Sequence, residues 1–220
     1  SGGRVLRFDF EGDSLFPFID KNGACPLPPY IDREPTNSDK RQYQTVYAEE
    51  QGSVAAPTAG MHFSDSVLKK LTKKGVISTP IILHIGLGTF KPILVEDVTR
   101  HNMDSEYFNV PPETATIINE AKDKRKRITA VGTSTVRTLE TVIVSGFQIT
   151  SKSGWTDKFI YPPYDFKMCD RLITNFHQPQ STLMLLVAAF ANKDFIMRAY
   201  EEAIKKKYNF YSYGDAMFII

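Results

Sequence analysis

The sequence has only two cysteines, Cys25 and Cys169, and they stand in no metal-like spacing. That excludes a zinc site and a disulfide scaffold, and it points to a reducing compartment. Neither sign of charge prevails: 27 Lys and Arg face 25 Asp and Glu, for a formal net charge of +2. A basic field over the whole surface is excluded, so any nucleic-acid contact must be local. Long apolar runs are also missing. The longest, residues 183–191, is too short to span a bilayer, and no secretory segment is visible. The expectation is a cytoplasmic protein with no membrane attachment. Its 42% hydrophobic content is enough for a real core in one large domain.

What is present divides at a proline-rich passage. Residues 4–10 read as a strand and Glu11-Gly12-Asp13 as a turn. Two strands at most fit ahead of Pro26, and an isolated hairpin is marginal, so residues 1–25 read as the tail of a larger unit. Pro26-Leu27-Pro28-Pro29-Tyr30 is extended, because each proline fixes φ and restrains its predecessor. Residues 32–41 are polar and charged, a connection without structure of its own.

From Tyr43 onward the pattern is that of strands and helices in turn. Ser64 caps a helix carrying Val67, Leu68 and Leu71, and Gly75 stops it. Residues 77–85 form a buried strand. A helix from near Pro112 runs through Ala115, Ile118 and Ala121 into a basic run at 122–127. Residues 128–131 form another buried strand, broken by Gly132. Val136, Leu139, Glu140 and Ile143 then recur at helical spacing until Gly146. Strands at 158–161 and 172–175 follow, then an all-apolar core helix at 183–191. Asp194 caps a last helix with Phe195, Ala199, Ala203 and Ile204 inward, and residues 208–213 alternate like a strand. This order predicts an α/β domain over residues 26–220 with mainly parallel strands.

Four polar clusters fall at predicted strand ends, where α/β folds place ligands. His62 closes a run of small residues, 52–63, that lets backbone approach a ligand closely. His84 leads into Gly86-Leu87-Gly88-Thr89. Thr133, Ser134 and Thr135 lie at a helix N-terminus, where free N–H groups and the dipole suit an anionic or electron-rich group. Arg137 and Glu140 share one face of that helix. The stretch from Asn175 to Ser181 contributes His177.

A plainer reading stands beside each cluster: a capped helix with a surface ion pair, or structural histidines with satisfied hydrogen bonds. His101, in a polar stretch, keeps that reading. The basic runs, residues 122–127 and Lys69-Lys70 with Lys73-Lys74, read first as solvated helix faces. Gly86-Leu87-Gly88 is half a dinucleotide fingerprint, and Phe90-Lys91-Pro92 follows where a helix should begin. No His-x-x-x-His pair or carboxylate cluster asks for a metal, and no nucleophile elbow is present. The residues alone point to an α/β enzyme with a polar, metal-free pocket and scattered basic edges.

Together, residues 43–47, 52–63, 84–90, 131–140, 174–183 and 212–217 resemble the S-adenosylmethionine:tRNA ribosyltransferase-isomerase family of queuosine biosynthesis, and the likeness covers nearly all of the chain. The resemblance implies transfer and isomerisation of the ribosyl moiety of S-adenosylmethionine onto 7-aminomethyl-7-deazaguanine at a tRNA wobble position. Epoxyqueuosine forms, and adenine and methionine leave. S-Adenosylmethionine is then a ribosyl-donating co-substrate and tRNA the partner; no metal, membrane or protein partner is implied. The implied fold couples a barrel-like α/β domain to a small β-barrel, of which residues 1–25 are the remnant. Family members carry a substantial part ahead of the position of Arg4, which supplies strands to both domains.

The implied chemistry assigns roles. Sulfonium activates the neighbouring 5′-carbon, a base must remove a proton there, and His62, His84 and His177 compete for that task. Departing adenine would be served by Thr133, Ser134 or Asn175. The methionine carboxylate would suit Arg137 or the helix N-terminus before it. Glu140, Tyr161 or Tyr213 would face the sulfonium, or the tyrosines would stack on the deazaguanine. Arg137 and Glu140 could instead pair with each other. Thr58, Gly60, Gly86 and Thr89 complete the implied co-substrate set, and Ser181 and Asp215 the substrate set. Two alternatives remain: a methyltransferase built on Gly86-Leu87-Gly88, releasing S-adenosylhomocysteine, and a non-catalytic RNA-binding module using the basic runs.

Overall fold

A computed structural model describes residues 6–9 and 14–220. Residues 6–9 form no strand, and the rest of the expected first strand, with its turn at 11–13, lies outside the described residues. The chain continues as helix α1 (Leu15–Asn22), which buries none of its residues. The polar connection at 32–41 is more ordered than its composition suggests. Asp39, 1% exposed, opens the short α2 (Asp39–Gln42) and accepts from the Arg33 guanidinium at 2.7 and 2.8 Å and from the Thr36 amide at 2.7 Å.

Residues 52–63 close in a 3-10 turn, Thr58–His62. Ser64 then caps α3 (Asp65–Lys73) by accepting the Val67 N–H, and Gly75, at φ 78°, follows its end, both as predicted. The apolar run at 77–85 yields only a short strand, β1 (Ile82–His84). A strand absent from the sequence reading, β2 (Glu106–Val110), leads through Pro111 into α4 (Pro112–Asp123). Then come β3 (Thr129–Val131) and α5 (Thr133–Thr141). Gly132 between them has φ 91°, a backbone conformation that side chains resist, and it turns strand sharply into helix.

A two-stranded ladder of β4 (Ile143–Val144) and β5 (Gln148–Ile149) precedes β6 (Lys152–Thr156). Residues 158–161, expected as a strand, lie just past β6 and pair with nothing in a ladder. The chain ends with β7 (Arg171–Asn175), α6 (Thr182–Ala191), α7 (Lys193–Lys205) and β8 (Ala216–Ile219).

Strands β1, β2 and β6 pair antiparallel in that order; β7 pairs parallel with β3 and antiparallel with β8. The expected mainly parallel, barrel-like sheet is therefore corrected. Among the described residues the class is mixed α/β, with small, mostly antiparallel sheets and no closed barrel. Two causes are visible. The strands missed in the sequence, β2 and β6, are each other's antiparallel partners. Between β7 and β8 the chain passes through two helices, so it re-enters the sheet from the opposite end.

Helix α6 lies in the core as expected, with no residue exposed. Helix α7 is turned by one residue from the expected phase: Ile196, Tyr200 and Ala203 are buried, while Phe195 and Ile204 are exposed. Its cap is Asn192, whose side chain accepts the Asp194 N–H at 2.9 Å. Residues 208–213 make no strand, because Tyr211 at φ 73° folds them into a turn.

The core packs Phe108 and Val110 of β2 against Val136 and Leu139 of α5, Leu172 of β7 and Leu186 of α6. One polar contact crosses it. Arg137, 2% exposed, reaches from α5 to the buried Glu106 of β2 at 2.8 Å and donates to the carbonyls of Lys158 and Thr156 at 2.9 and 3.1 Å. Burial pushes the guanidinium down from its ordinary value, and the Glu106 carboxylate pulls it back. Because α5 follows from one three-stranded sheet while Glu106 and Thr156 belong to the other, the pair ties the two together. Arg137→Leu leaves a buried carboxylate unpaired and should cost about 3–5 kcal/mol in urea unfolding, whereas the double change Glu106→Leu with Arg137→Leu should recover much of that loss.

Candidate active site

Parallel pairing of β3 and β7 brings their C-terminal ends together. Two turns start there, one through Gly132 into α5 and one from Asn175 towards α6. The 3-10 turn Thr58–His62 and the segment after β1 close over these ends. The resulting cleft gathers seven of the sequence-predicted residues: Thr58, Thr89, Thr133, Ser134, Asn175, His177 and Ser181.

The first turn of α5 has no side-chain cap. Thr135 Oγ1 donates back to the Val131 carbonyl at 2.7 Å, and Ser134 Oγ to Glu106 at 3.2 Å, so neither hydroxyl competes for the helix amides. Those amides stay open towards the cleft. On the opposite wall Ser181 caps α6 by accepting the Met184 N–H at 3.1 Å. Thr89 is 8% exposed and its Oγ1 has no hydrogen-bond partner. A buried, unmatched hydroxyl is costly, and in a cleft wall it marks a place for a polar ligand atom.

Asn175, 3% exposed, accepts the Thr58 hydroxyl at 2.8 Å on Oδ1 and presents Nδ2 to His62 Nε2 at 3.4 Å. An amide donor facing Nε2 makes that nitrogen the acceptor and assigns the ring proton to Nδ1. His62 itself is exposed at the rim. His177 is different. It is buried, Nε2 meets Thr174 Oγ1 at 2.8 Å, and its backbone N–H donates to Tyr200 Oη at 2.8 Å. Burial pushes its imidazole down to about 3, which keeps the ring neutral.

The remaining predicted residues lie elsewhere. Leu83 and Ile85 line the cleft, so strand alternation turns His84 to the other face. There its ring packs on Tyr107 at 5.1 Å, under Gly52, where a Cβ would strike it. Arg137 and Glu140 do not pair. Arg137 is committed to Glu106. Glu140, 4% exposed, accepts from the Lys167 and Met168 amides at 3.0 and 2.9 Å and from the Tyr164 hydroxyl at 3.2 Å. Both sit on the buried side of α5. Gly60 is tight against Tyr47 and Thr45, and Gly86 lies in open space near the Gly88 amide. At Gly88 a Cβ would strike the Asp104 carboxylate, and a 3-10 turn, Leu87–Phe90, stands where a nucleotide-binding helix would start. Tyr161 packs on Phe159 at 5.0 Å. Tyr213 donates to Asp39 at 2.7 Å, and Asp215 accepts the Asn209 N–H at 2.7 Å.

An aromatic wall was missed in the sequence. Tyr30, Phe90 and Tyr211 line the cleft, with Tyr30 at 5.9 Å from Phe90 and 5.2 Å from Tyr211. The Tyr30 hydroxyl bonds Ser212 Oγ and accepts the Ser212 N–H at 3.1 Å. Beside it, the Arg33 guanidinium, the Thr36 amide and the Tyr213 hydroxyl hold the Asp39 carboxyl well below the usual carboxylate range. The proline run ahead of Tyr30 announced an extended segment, but no local pattern separates Tyr211 from Tyr213. Among the described residues no three His, Cys, Asp or Glu side chains gather as metal ligands, and no helix is long and apolar enough to cross a membrane.

The buried imidazole makes stability depend on pH. His177 titrates near 3 in the fold against 6.5 when unperturbed, so between those values the unfolded chain binds the extra proton. Its contribution is complete above pH 6.5 and is lost as pH falls towards 3. Unfolding free energies from urea titrations between pH 7 and pH 4 should drop more steeply for the unsubstituted protein than for His177→Gln, by up to about 1.4 kcal/mol per pH unit.

The profile of the family described as "Queuosine biosynthesis protein" matches residues 1–219. The S-adenosylmethionine:tRNA ribosyltransferase-isomerase of Sulfurihydrogenibium sp. is 55% identical over 92% of this chain and 59% of its own length. Its namesake from Thermotoga maritima is 52% identical over 100% of this chain and 63% of its own length. A crystal structure of S-adenosylmethionine tRNA ribosyltransferase from Thermotoga maritima has a TM-score of 0.61 at 46% identity, covering 74% of this chain and 51% of that one. The chain thus spans about three fifths of the length of the relatives it matches. With a family profile matched over residues 1–219 and half of all positions shared with such relatives, this chain belongs to the queuosine biosynthesis protein family.

Proposed function

We propose that this chain carries the catalytic cleft of an S-adenosylmethionine:tRNA ribosyltransferase-isomerase. The reaction is ribosyl transfer and isomerisation onto 7-aminomethyl-7-deazaguanine in cytoplasmic tRNA, forming epoxyqueuosine with loss of adenine and methionine. The observation that carries this reading is the convergence of four separate polar blocks, through Thr58, Thr89, Thr133, Ser134, Asn175, His177 and Ser181, on one cleft. A domain boundary after residue 25 accords with it, since α1 buries none of its residues.

The residues present fit the co-substrate. Among the described residues no charged side chain lines the cleft, so the ligand's charges would be met by dipoles and ring faces. The open first turn of α5 suits the methionine carboxylate. Tyr30, Phe90 and Tyr211 offer faces to a sulfonium or a stacked base, in place of Tyr161 and Tyr213. Thr89 Oγ1, unmatched and buried, and Asn175 would serve the adenine edge.

When bound, S-adenosylmethionine supplies a sulfonium that makes the adjacent 5′ C–H acidic. His62 is assigned the proton removal. Asn175 Nδ2 faces its Nε2 at 3.4 Å, which leaves that nitrogen unprotonated with its lone pair only loosely held by the amide, and its rim position is open to substrate. His177 is too weak a base once buried, and it serves instead to hold the turn between β7 and α6 through Thr174 and Tyr200.

Incubation with S-adenosylmethionine and tRNA bearing the 7-aminomethyl-7-deazaguanine should yield free adenine and methionine. Release of S-adenosylhomocysteine instead would replace the reading with a methyltransferase. His62→Ala should lower turnover by about 10²- to 10⁴-fold, while His84→Ala should stay near the unsubstituted rate. Undiminished turnover by His62→Ala would remove His62 from the role of base.

A further inference from the structure

We infer that α3 is the docking surface for the phosphate backbone of the RNA substrate beside the modified nucleotide. This rests on the tRNA reading above and names the part of the molecule that holds the RNA outside the cleft. Helix α3 buries none of its residues. It carries Lys69, Lys70 and Lys73, with Lys74 next, all exposed, and its one acidic residue is Asp65 at the N-terminal end. Among the described residues the ion pairs engage other side chains, and none includes these four lysines.

At about 100° per residue the four ammonium groups fall within about 140° of the helix circumference, with Leu68 and Leu71 on the other side and Val67 at the edge beside Lys74. Along the axis they extend about 8 Å, enough for about two phosphates of one strand. Their position matters as much as their charge. Ser64, the cap of α3, comes directly after Phe63, which ends the 3-10 turn that closes over the cleft at Thr58 and His62. The lysines therefore begin about 8 Å along the helix from its cap at the rim.

The competing basic run at 122–127 is partly engaged and differently placed, although Arg125, Lys126 and Arg127 are exposed and join no ion pair among the described residues. Lys122 donates to the Lys167 carbonyl at 2.8 Å and Lys124 pairs with Glu120 at 2.8 Å. That run also enters β3 at its N-terminal end, whereas the cleft lies where β3 ends. Its direct link to the turn over the cleft brings α3 within reach of a polyanion whose reacting base occupies the cleft.

The test is equilibrium binding to tRNA bearing the modified wobble base, followed across about 50 to 200 mM salt. The variant carries Lys69→Gln, Lys70→Gln, Lys73→Gln and Lys74→Gln, which keep helix propensity and touch no buried contact. Affinity at the low-salt end should fall by about 10- to 100-fold, and the slope of log affinity against log salt should become shallower by about two. The KM for tRNA should rise far more than kcat falls. Arginines at the same four positions should restore the slope, which separates charge from helix stability. Lys126→Gln with Arg127→Gln should leave the slope unchanged. An unaltered slope in the quadruple variant of a protein that turns over, or an equal loss in the 126/127 variant, overturns the inference alone. If the unsubstituted protein binds S-adenosylmethionine but no tRNA at any salt, the functional reading falls and the inference with it.

Discussion

Arg137 and Glu106 meet at 2.8 Å in the interior, and taking both charges out of water is worthwhile only if every remaining donor and lone pair is matched. The structure goes some way towards that condition by spanning two sheets. Two more of the guanidinium's five N–H groups go to the carbonyls of Thr156 and Lys158, where β6 ends, and the carboxylate also accepts from Ser134. A planar fork of donors suits such a joint better than an ammonium point charge. The consequence reaches the cleft directly, because Ser134 belongs to the first turn of α5. The same carboxylate that neutralises Arg137 draws the Ser134 hydroxyl away from the helix amides.

Charge is thereby kept behind the cleft rather than in it. Arg137, Glu106 and Glu140 are all buried and all spent on the frame, while hydroxyls, an amide, an imidazole and aromatic rings form the lining. A second set of contacts shapes the aromatic side. Asp39 holds Arg33 and Tyr213, and Tyr30 holds Ser212, so the segment after the prolines is stitched to the turn ahead of β8. Those stitches bring Tyr30 beside Tyr211 and Phe90. An uncharged lining with fixed dipoles suits a ligand that brings both a carboxylate and a cation of its own.

Much of the local structure was legible in the chain. Ser64 and Gly75 bracket α3, Pro112 starts α4, and Gly132 converts β3 into α5, each by an effect acting over a few residues. The hydroxyl blocks of the cleft were legible for the same reason, since a strand, a glycine and a helical pattern in that order place Thr133 and Ser134 at a helix start. Strands β2 and β6 were not. The inward positions of β2 include Glu106, and β6 contains Lys152 and Gly154, so hydropathy shows no alternation to read. The phase of α7 failed on similar grounds. Tyr200 points inward, and its hydroxyl meets the His177 amide, a partner that no pattern within the helix reveals.

By itself the sequence determined the helix starts and stops, the polar blocks and the family likeness that those blocks carry. Capping, glycine conformation and residue identity need no distant partner. Only the tertiary structure decided that His62 and His177 flank the cleft while His84 turns away, that Arg137 is a strut, and that Tyr30 and Tyr211 form the wall. These outcomes depend on strand phase and on contacts such as Tyr30 with Ser212, which are 182 positions apart. Burial of surfaces far apart in the chain sets them, and no window of neighbouring residues contains that information.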